Sequence, residues 1–291
     1  MTVRRYLQLD VFADRPGAGN PLGVVFDAAD MDGAGMQAYA AWANLSETIF
    51  FLPPTSPAAD YRVRIFTPRS ELPFAGHPSV GAAWAALDSG LIQAKGESLV
   101  QECAAGLLPV RIEDRGSTRV IHVRTPHARE VATGNAHRAM LAAALNDLPL
   151  GALAPALWNN GPNWWLVELA GAAAVRGMAP DLHAIATLTS ASDAVGLAVF
   201  GRAGASDHDL AVRAYCPADG IPEDPVTGSA NASIAALLHR NGALPGAEGR
   251  YLASQGRELG RDGRVEVQVD ADGEVWIGGQ VQAVIRGSTD W

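Results

Sequence analysis

The chain carries one structural statement twice. From Val63 it reads VRIFTP and, after a short loop, PFAGHPSVGAAWAAL; from Val212 it reads VRAYCP and, after a loop three residues longer, PVTGSANASIAALL. Arg64 to Arg213 and Pro68 to Pro217 are each 149 apart, while Pro73 to Pro225 and Gly76 to Gly228 are each 152 apart, so the difference is confined to the loop. Each copy reads as a strand, a Pro-ended turn, a Gly at a helix start and an Ala-rich helix. That is a supersecondary unit used twice, which makes a pseudo-symmetric pair and not a solenoid.

The two helices are informative in themselves. In the first, Val80, Ala83, Trp84 and Leu87 fall at i, i+3, i+4 and i+7, but Gly81, Ala82, Ala85 and Ala86 fill the other positions, so no face is charged. A helix without a polar face is buried all round. The second, from Ser229 to about His239, has Ile234, Leu237 and Leu238 on one face and Ala230, Ala232, Ala235 and Ala236 elsewhere. The pattern predicts an α+β fold of two pseudo-symmetric domains, each a mostly antiparallel sheet wrapped around a central buried helix. Because the first amides of a helix lack internal partners and its dipole is positive there, each Gly-led start is a candidate anion site. Two such starts predict one shared carboxylate pocket.

At 291 residues, 48% hydrophobic and 18% charged, the chain has material for a substantial core. Its net charge of −9 and lack of a basic run exclude a protein that holds nucleic acid through phosphates. The apolar stretch of MTVRRYLQLDVF is broken by Asp10 before it reaches signal-peptide length, and no run approaches the roughly 18 apolar residues of a membrane span. A cytoplasmic protein with no membrane partner is expected. Two cysteines, Cys103 and Cys216, exclude a disulfide framework. Cys216 reads as a structural core residue.

Residues 3–12 and 22–26 read as the first two strands, flanking the turn cluster DRPGAGNP. Its glycines do not make a dinucleotide loop, since Leu22 stands at the third glycine position and Pro21 intrudes. Gly35 to Ala43 is a helix, and Thr48 to Leu52 a strand ended by Pro53-Pro54, with Glu47 at the junction. The polar stretch Thr125 to Gly134 reads as the passage between halves. Beyond the second repeat, Asp262-Gly263 and Asp272-Gly273 each separate alternating runs, a hairpin signal. The chain ends in sheet, with only the extreme C-terminus disordered.

Glu47, an acid between a helix and an apolar strand, is a candidate general acid/base, because burial favours a neutral carboxyl. It is equally placed to cap against Asn44. His77 could transfer a proton or orient a substrate, or be a satisfied core histidine. The other histidines make no ligand-spaced cluster with it, so no metal is expected. Asp224 and Ser229 are either turn and cap residues or polar contacts in a pocket where Gly76 and Gly228 expose bare backbone. Ser229, His77 and Asp224 permit a hydrolase triad on paper, but no G-x-S-x-G elbow supports it.

LDVFADRPGAGNPLGVV, NLSETIFF, the TP to LPFAGHPSVGAAWAAL segment and EDPVTGSAN together resemble the PhzF-type phenazine-biosynthesis isomerase family, in order and spacing through essentially the whole chain. The resemblance implies a diaminopimelate-epimerase-like fold of two similar domains with the active site in the cleft between them. It implies residues 1–124 as the N-terminal half, joined by the last strand 278–291, residues 125–277 as the C-terminal half, and a homodimer. It places the acid/base glutamate on Glu47, with His77, Asp224 and Ser229 and the backbone of Gly76 and Gly228 at the substrate. The implied reaction is isomerisation of trans-2,3-dihydro-3-hydroxyanthranilate, or of another small carboxylate, without a cofactor. Related epimerases carry two thiols just before the helix-start glycines. Here those positions are Ala75 and Thr227, so no two-thiol racemase can be built. A small-acid binding protein that has lost catalysis is the alternative, and a Ser229-dependent hydrolase the weaker one.

Overall fold

A computed structural model describes residues 2–94, 96–116, 118–204 and 206–291. The protein is sheet-rich, with six α-helices among the described residues. Its contacts divide it into two compact units, Met1–Arg124 with Gly278–Trp291, and Thr125–Ile277.

Unit 1 runs β1 (Val3–Val11), β2 (Asn20–Val25), α1 (Gly33–Ala43), β3 (Glu47–Leu52), β4 (Tyr61–Phe66), β5 (Glu71–Leu72), α2 (Gly76–Asp88), β6 (Ser98–Cys103), β7 (Gly106–Arg115) and β8 (Thr118–Arg124). β1–β2 is antiparallel, β2–β3 parallel, β3–β4 antiparallel, β4–β6 parallel, and β6–β7 and β7–β8 antiparallel. The period-2 alternation of the strands serves two cores. Phe50, Phe66 and Val25 pack with Met36, Tyr39 and Ala40 of α1 on one face. The opposite face holds α2, in which ten residues from Gly76 to Ala86 are buried. Gly81 is required there: a Cβ would lie 2.4 Å from Leu22 Cδ2 and 3.0 Å from Val11 Cγ2.

Unit 2 runs β9 (Arg129–Thr133), α3 (Arg138–Leu145), β10 (Ala156–Asn159), β11 (Asn163–Glu168), α4 (Ala172–Arg176), α5 (Leu182–Ala191), β12 (Gly196–Arg202), β13 (Leu210–Cys216), β14 (Ile221–Asp224), α6 (Gly228–Arg240), β15 (Arg250–Gln255) and β16 (Gly263–Val269). The pairings β10–β11, β11–β12, β12–β13, β13–β15 and β15–β16 are antiparallel, parallel, antiparallel, parallel and antiparallel. This repeats the order found from β1 to β7. Helices α3, α4 and α5 cover the outer face through Leu141, Leu145, Val175, Ile185 and Leu188 against Trp165, Val167, Val199 and Tyr215. α6 is buried from Gly228 to Leu238 except at Ser229 and Ala236.

The last strand, β17 (Val275–Asp290), begins in unit 2 and continues in unit 1, where it pairs antiparallel with β1 from Val11↔Val281 to Val3↔Asp290. The extreme C-terminus is therefore sheet and not disordered: Trp291 packs edge-on to Tyr39, ring centroids 5.1 Å apart. Parallel pairs interrupt both sheets, at β2–β3 and β4–β6 and at β11–β12 and β13–β15, but most pairings in each are antiparallel, as the sequence predicts. Two further expectations need correction. The stretch Thr125 to Gly134 contains β9, paired with β10, a strand hidden by its exposed polar face. Asp262-Gly263 is not a two-residue turn, because Gln255 pairs with Gly263 and the connection is a short 3₁₀ turn at Arg257–Leu259.

The repeated unit is duplicated down to side chains. In unit 1, Arg64 makes a bidentate bond to Glu71 (2.7 and 2.7 Å) and lies over Phe66, 5.0 Å from the ring centroid. In unit 2, Arg213 makes the same bond to Glu223 (2.9 and 2.8 Å) and lies 5.2 Å over Tyr215. Glu71 and Glu223 stand 152 apart, the spacing of the helix-start glycines.

Candidate active site

In unit 1, Glu47 is the first residue of β3, in register with Leu22 of the parallel neighbour β2. Asn44 is not its capping partner. Asn44 is the left-handed C-cap of α1 at φ 50, with its N–H on Ala40 O. His77 is the second residue of α2, a helix that Ala75 starts without a side-chain cap. The fold brings Glu47 Oε2 to 3.2 Å from His77 Nε2.

The protonation of this pair follows from its surroundings. Burial pushes the His77 ring from 6.5 down to about 3, opposed in part by a hydrogen bond with the Pro21 backbone. His77 is therefore neutral near pH 7. Since Nε2 makes no hydrogen bond to the protein, the bond to the Pro21 carbonyl is donated by Nδ1. That fixes the tautomer and leaves a lone pair on Nε2. A carboxylate facing a lone pair is two acceptors with no proton between them, whereas a protonated Glu47 can donate to Nε2.

In unit 2, Asp224 ends β14 and does not cap α6; the N-cap is Thr227. Thr227 Oγ1 donates to Asp224 Oδ2 at 2.6 Å. Gln255, fully buried on β15, accepts from Thr227 N and Asn231 Nδ2 and donates to Asp224 O and Thr227 Oγ1, each at 2.9–3.0 Å. Gly228 and Ser229 are the first two residues of α6. Ser229 Oγ accepts from Trp164 Nε1 at 3.0 Å, and its carbonyl accepts from Asn160 Nδ2 at 2.8 Å. An indole donor, not an imidazole acceptor, faces the Ser229 hydroxyl, which argues against a serine nucleophile.

Sequence reasoning missed Thr227, Gln255, Asn231, Trp164 and Asn160. One signal was available: Ser79 and Asn231 stand 152 apart as polar residues inside otherwise apolar helices. Each is tied to a glutamine of a neighbouring strand, Ser79 Oγ by Gln101 at 2.9 Å and Asn231 by Gln255. Cys103 and Cys216 are buried thiols not joined in a disulfide, and burial pushes the Cys103 thiol up. Among the described residues, no three His, Cys, Asp or Glu side chains are grouped to hold a metal ion, and no helix is long and apolar enough to cross a membrane.

The sequence model of the PhzC-PhzF family, described as phenazine biosynthesis-like protein, matches residues 9–287. The chain is 33% identical over 298 residues to antisense-enhancing sequence 1 of Schizosaccharomyces pombe, covering 99% of each. It is 35% identical over 272 residues to trans-2,3-dihydro-3-hydroxyanthranilate isomerase of Pseudomonas aeruginosa, covering 94% of this chain and 92% of that one. The crystal structure of a PhzF-family phenazine biosynthesis protein from Bacillus anthracis superposes with a TM-score of 0.83 at 26% identity over 100% of both chains. With the match running through nearly the whole sequence and both units, the chain belongs to the phenazine biosynthesis-like PhzC-PhzF family and is an isomerase.

Proposed function

We propose that the protein moves a proton within a small cyclic carboxylate of the trans-2,3-dihydro-3-hydroxyanthranilate class, with Glu47 as the single acid/base and without a cofactor. The observation that carries this reading is the buried Glu47–His77 contact of 3.2 Å with its tautomer set by Pro21. As a carboxylate, Glu47 takes a proton from one substrate carbon. Once protonated, it has an acceptor in His77 Nε2 that holds the O–H until the proton is returned to a second carbon. One positioned acid/base is worth about 10²–10⁴ in rate.

His77 is assigned to proton traffic and orientation, and Asp224 to the substrate's amino or hydroxyl group. Gly76, Gly228 and Ser229 are assigned to its carboxylate. Neither helix start is capped by its own N-cap side chain, which supports that last assignment. The two units are read as duplicated, pseudo-symmetric domains, and a homodimer as the assembly.

The test is proton NMR in D₂O of trans-2,3-dihydro-3-hydroxyanthranilate with wild type and Glu47→Gln. Conversion with deuterium incorporation, lost at least about a hundredfold in the variant, is expected. Equal turnover by a folded Glu47→Gln protein would refute the role of Glu47. Binding without exchange at any carbon would instead identify a small-acid binding protein.

A further inference from the structure

Thr227 occupies the N-cap of α6 yet does no capping. A threonine at this position ordinarily accepts from the N–H two or three residues on. Its hydroxyl here points the other way, and the direction of each hydrogen bond around it can be assigned. The carboxamide of Gln255 is held between two backbone groups of opposite kind, the Thr227 N–H on Oε1 at 3.0 Å and the Asp224 carbonyl on Nε2 at 3.0 Å. Flipping the amide would set donor against donor and acceptor against acceptor, so its orientation is fixed. Asn231 Nδ2, donating to the same Oε1 at 3.0 Å, reinforces it.

The second N–H of Gln255 then enters Thr227 Oγ1 at 2.9 Å, which leaves that hydroxyl one hydrogen, directed at Asp224 Oδ2 at 2.6 Å. Gln255 and Asn231 are fully buried and Thr227 is 7% exposed, so water does not compete for these bonds. From this directionality we infer that Gln255 and Thr227 form a one-way hydrogen-bond relay that keeps Asp224 Oδ2 an acceptor, making both positioning residues for the Asp224 carboxylate. The relay fixes Oδ2 as the oxygen that accepts from Thr227. Unit 1 has no equivalent, because the position before its helix-start glycine is Ala75.

The inference rests on the assignment of Asp224 to the substrate for its consequence in turnover, but not for its physical content. The experiment therefore has two readouts. In protein carrying ¹³C-carboxyl aspartate, with Asp224→Asn to assign the signal, the Asp224 carboxyl shift is followed against pH in wild type, Thr227→Val and Thr227→Ser. The midpoint rises in Thr227→Val, which is isosteric but has no hydroxyl, and returns to the wild-type position in Thr227→Ser. Thr227→Ala takes the place of the valine variant should that protein not fold. An unmoved midpoint without the hydroxyl, or an equal movement in Thr227→Ser, overturns the relay.

Where wild type converts the dihydroanthranilate, Thr227→Val lowers kcat about ten- to a hundredfold, the worth of one hydrogen bond to a charged group. KM changes less, and Thr227→Ser restores kcat. No wild-type conversion would refute the substrate reading while the titration still decides the relay.

Discussion

The duplicated Arg–Glu pair offers a stability experiment with its own control. Both copies are bidentate, and both arginines stack on an aromatic ring two residues on, but their surroundings differ. The side chains of Arg213 and Glu223 are 6% and 8% exposed, whereas those of Arg64 and Glu71 are 27% and 34% exposed. Arg213 also donates to Met178 O at 2.6 Å, and a second carboxylate, Glu258, approaches its Nε at 3.9 Å. Arg213→Met therefore strands a buried carboxylate, for which about 3–5 kcal/mol is the usual cost. Arg64→Met leaves Glu71 able to rehydrate, and after solvent screening the expected loss is about 0–1 kcal/mol. With an m-value of about 2 kcal/mol/M, the difference of about 3 kcal/mol separates the two urea midpoints by about 1.5 M. Each variant is read in the unfolding transition that it shifts, followed by far-UV circular dichroism and tryptophan fluorescence. The double variant Arg213→Met/Glu223→Met is expected to recover most of the loss, because it strands no carboxylate: Glu258 keeps Arg176 at 3.2 Å, while the Met178 carbonyl loses a donor. Equal costs for the two single substitutions, or a double variant as unstable as Arg213→Met, would refute the reasoning that burial sets the value of this pair.

Two further outcomes follow from the core. His77 binds its proton at pH 6.5 when unfolded but only near pH 3 in the fold, so its neutral burial contributes fully above about pH 6.5 and is lost progressively as pH falls toward 3. Between pH 7 and 5, urea unfolding of wild type is expected to show about 2 kcal/mol more loss than that of His77→Gln, and parallel curves would contradict it. Gly81→Ala is expected to cost about 1–3 kcal/mol by overpacking against Leu22 and Val11, while Gly287→Ala, with nothing within 4 Å of its new methyl, stays within about 0.5 kcal/mol. Thermal melts of the two glycine variants check this, and equal melting temperatures would count against the packing argument.

Local patterns carried the repeated unit into the structure faithfully. The 149- and 152-residue spacings place β4 with β13 and α2 with α6, and the missing charged face of each helix corresponds to burial on all sides. Long-range pairing was not legible in the same way. Gln255 matters because β15 runs parallel to β13, Val212 opposite Gln255, and no local periodicity reports such a register. β9 was hidden because three of its five residues are exposed, so it lacks the apolar run by which a strand is recognised. The C-terminal GSTD reads as a polar tail, yet it is held by backbone bonds to β1, which any sequence can make.

The two copies also show how a duplicated scaffold diverges where it matters chemically. Their shared parts are the pairing directions, the stacked arginine with its glutamate, and the polar residue in each helix tied to a glutamine. They differ at the residue before the helix-start glycine. Ala75 has no group to offer, and the polar partner at that end of unit 1 is His77, whose Nε2 faces Glu47. Thr227 supplies a hydroxyl whose hydrogen is already committed to Asp224. Under the proposed function this difference divides the labour: a histidine lone pair accepts from whichever form of Glu47 holds the proton, whereas a one-way relay keeps Asp224 a constant acceptor. A proton carrier must exist in two states and a substrate anchor in one. The same helix start meets either requirement through the single residue that precedes or follows its glycine.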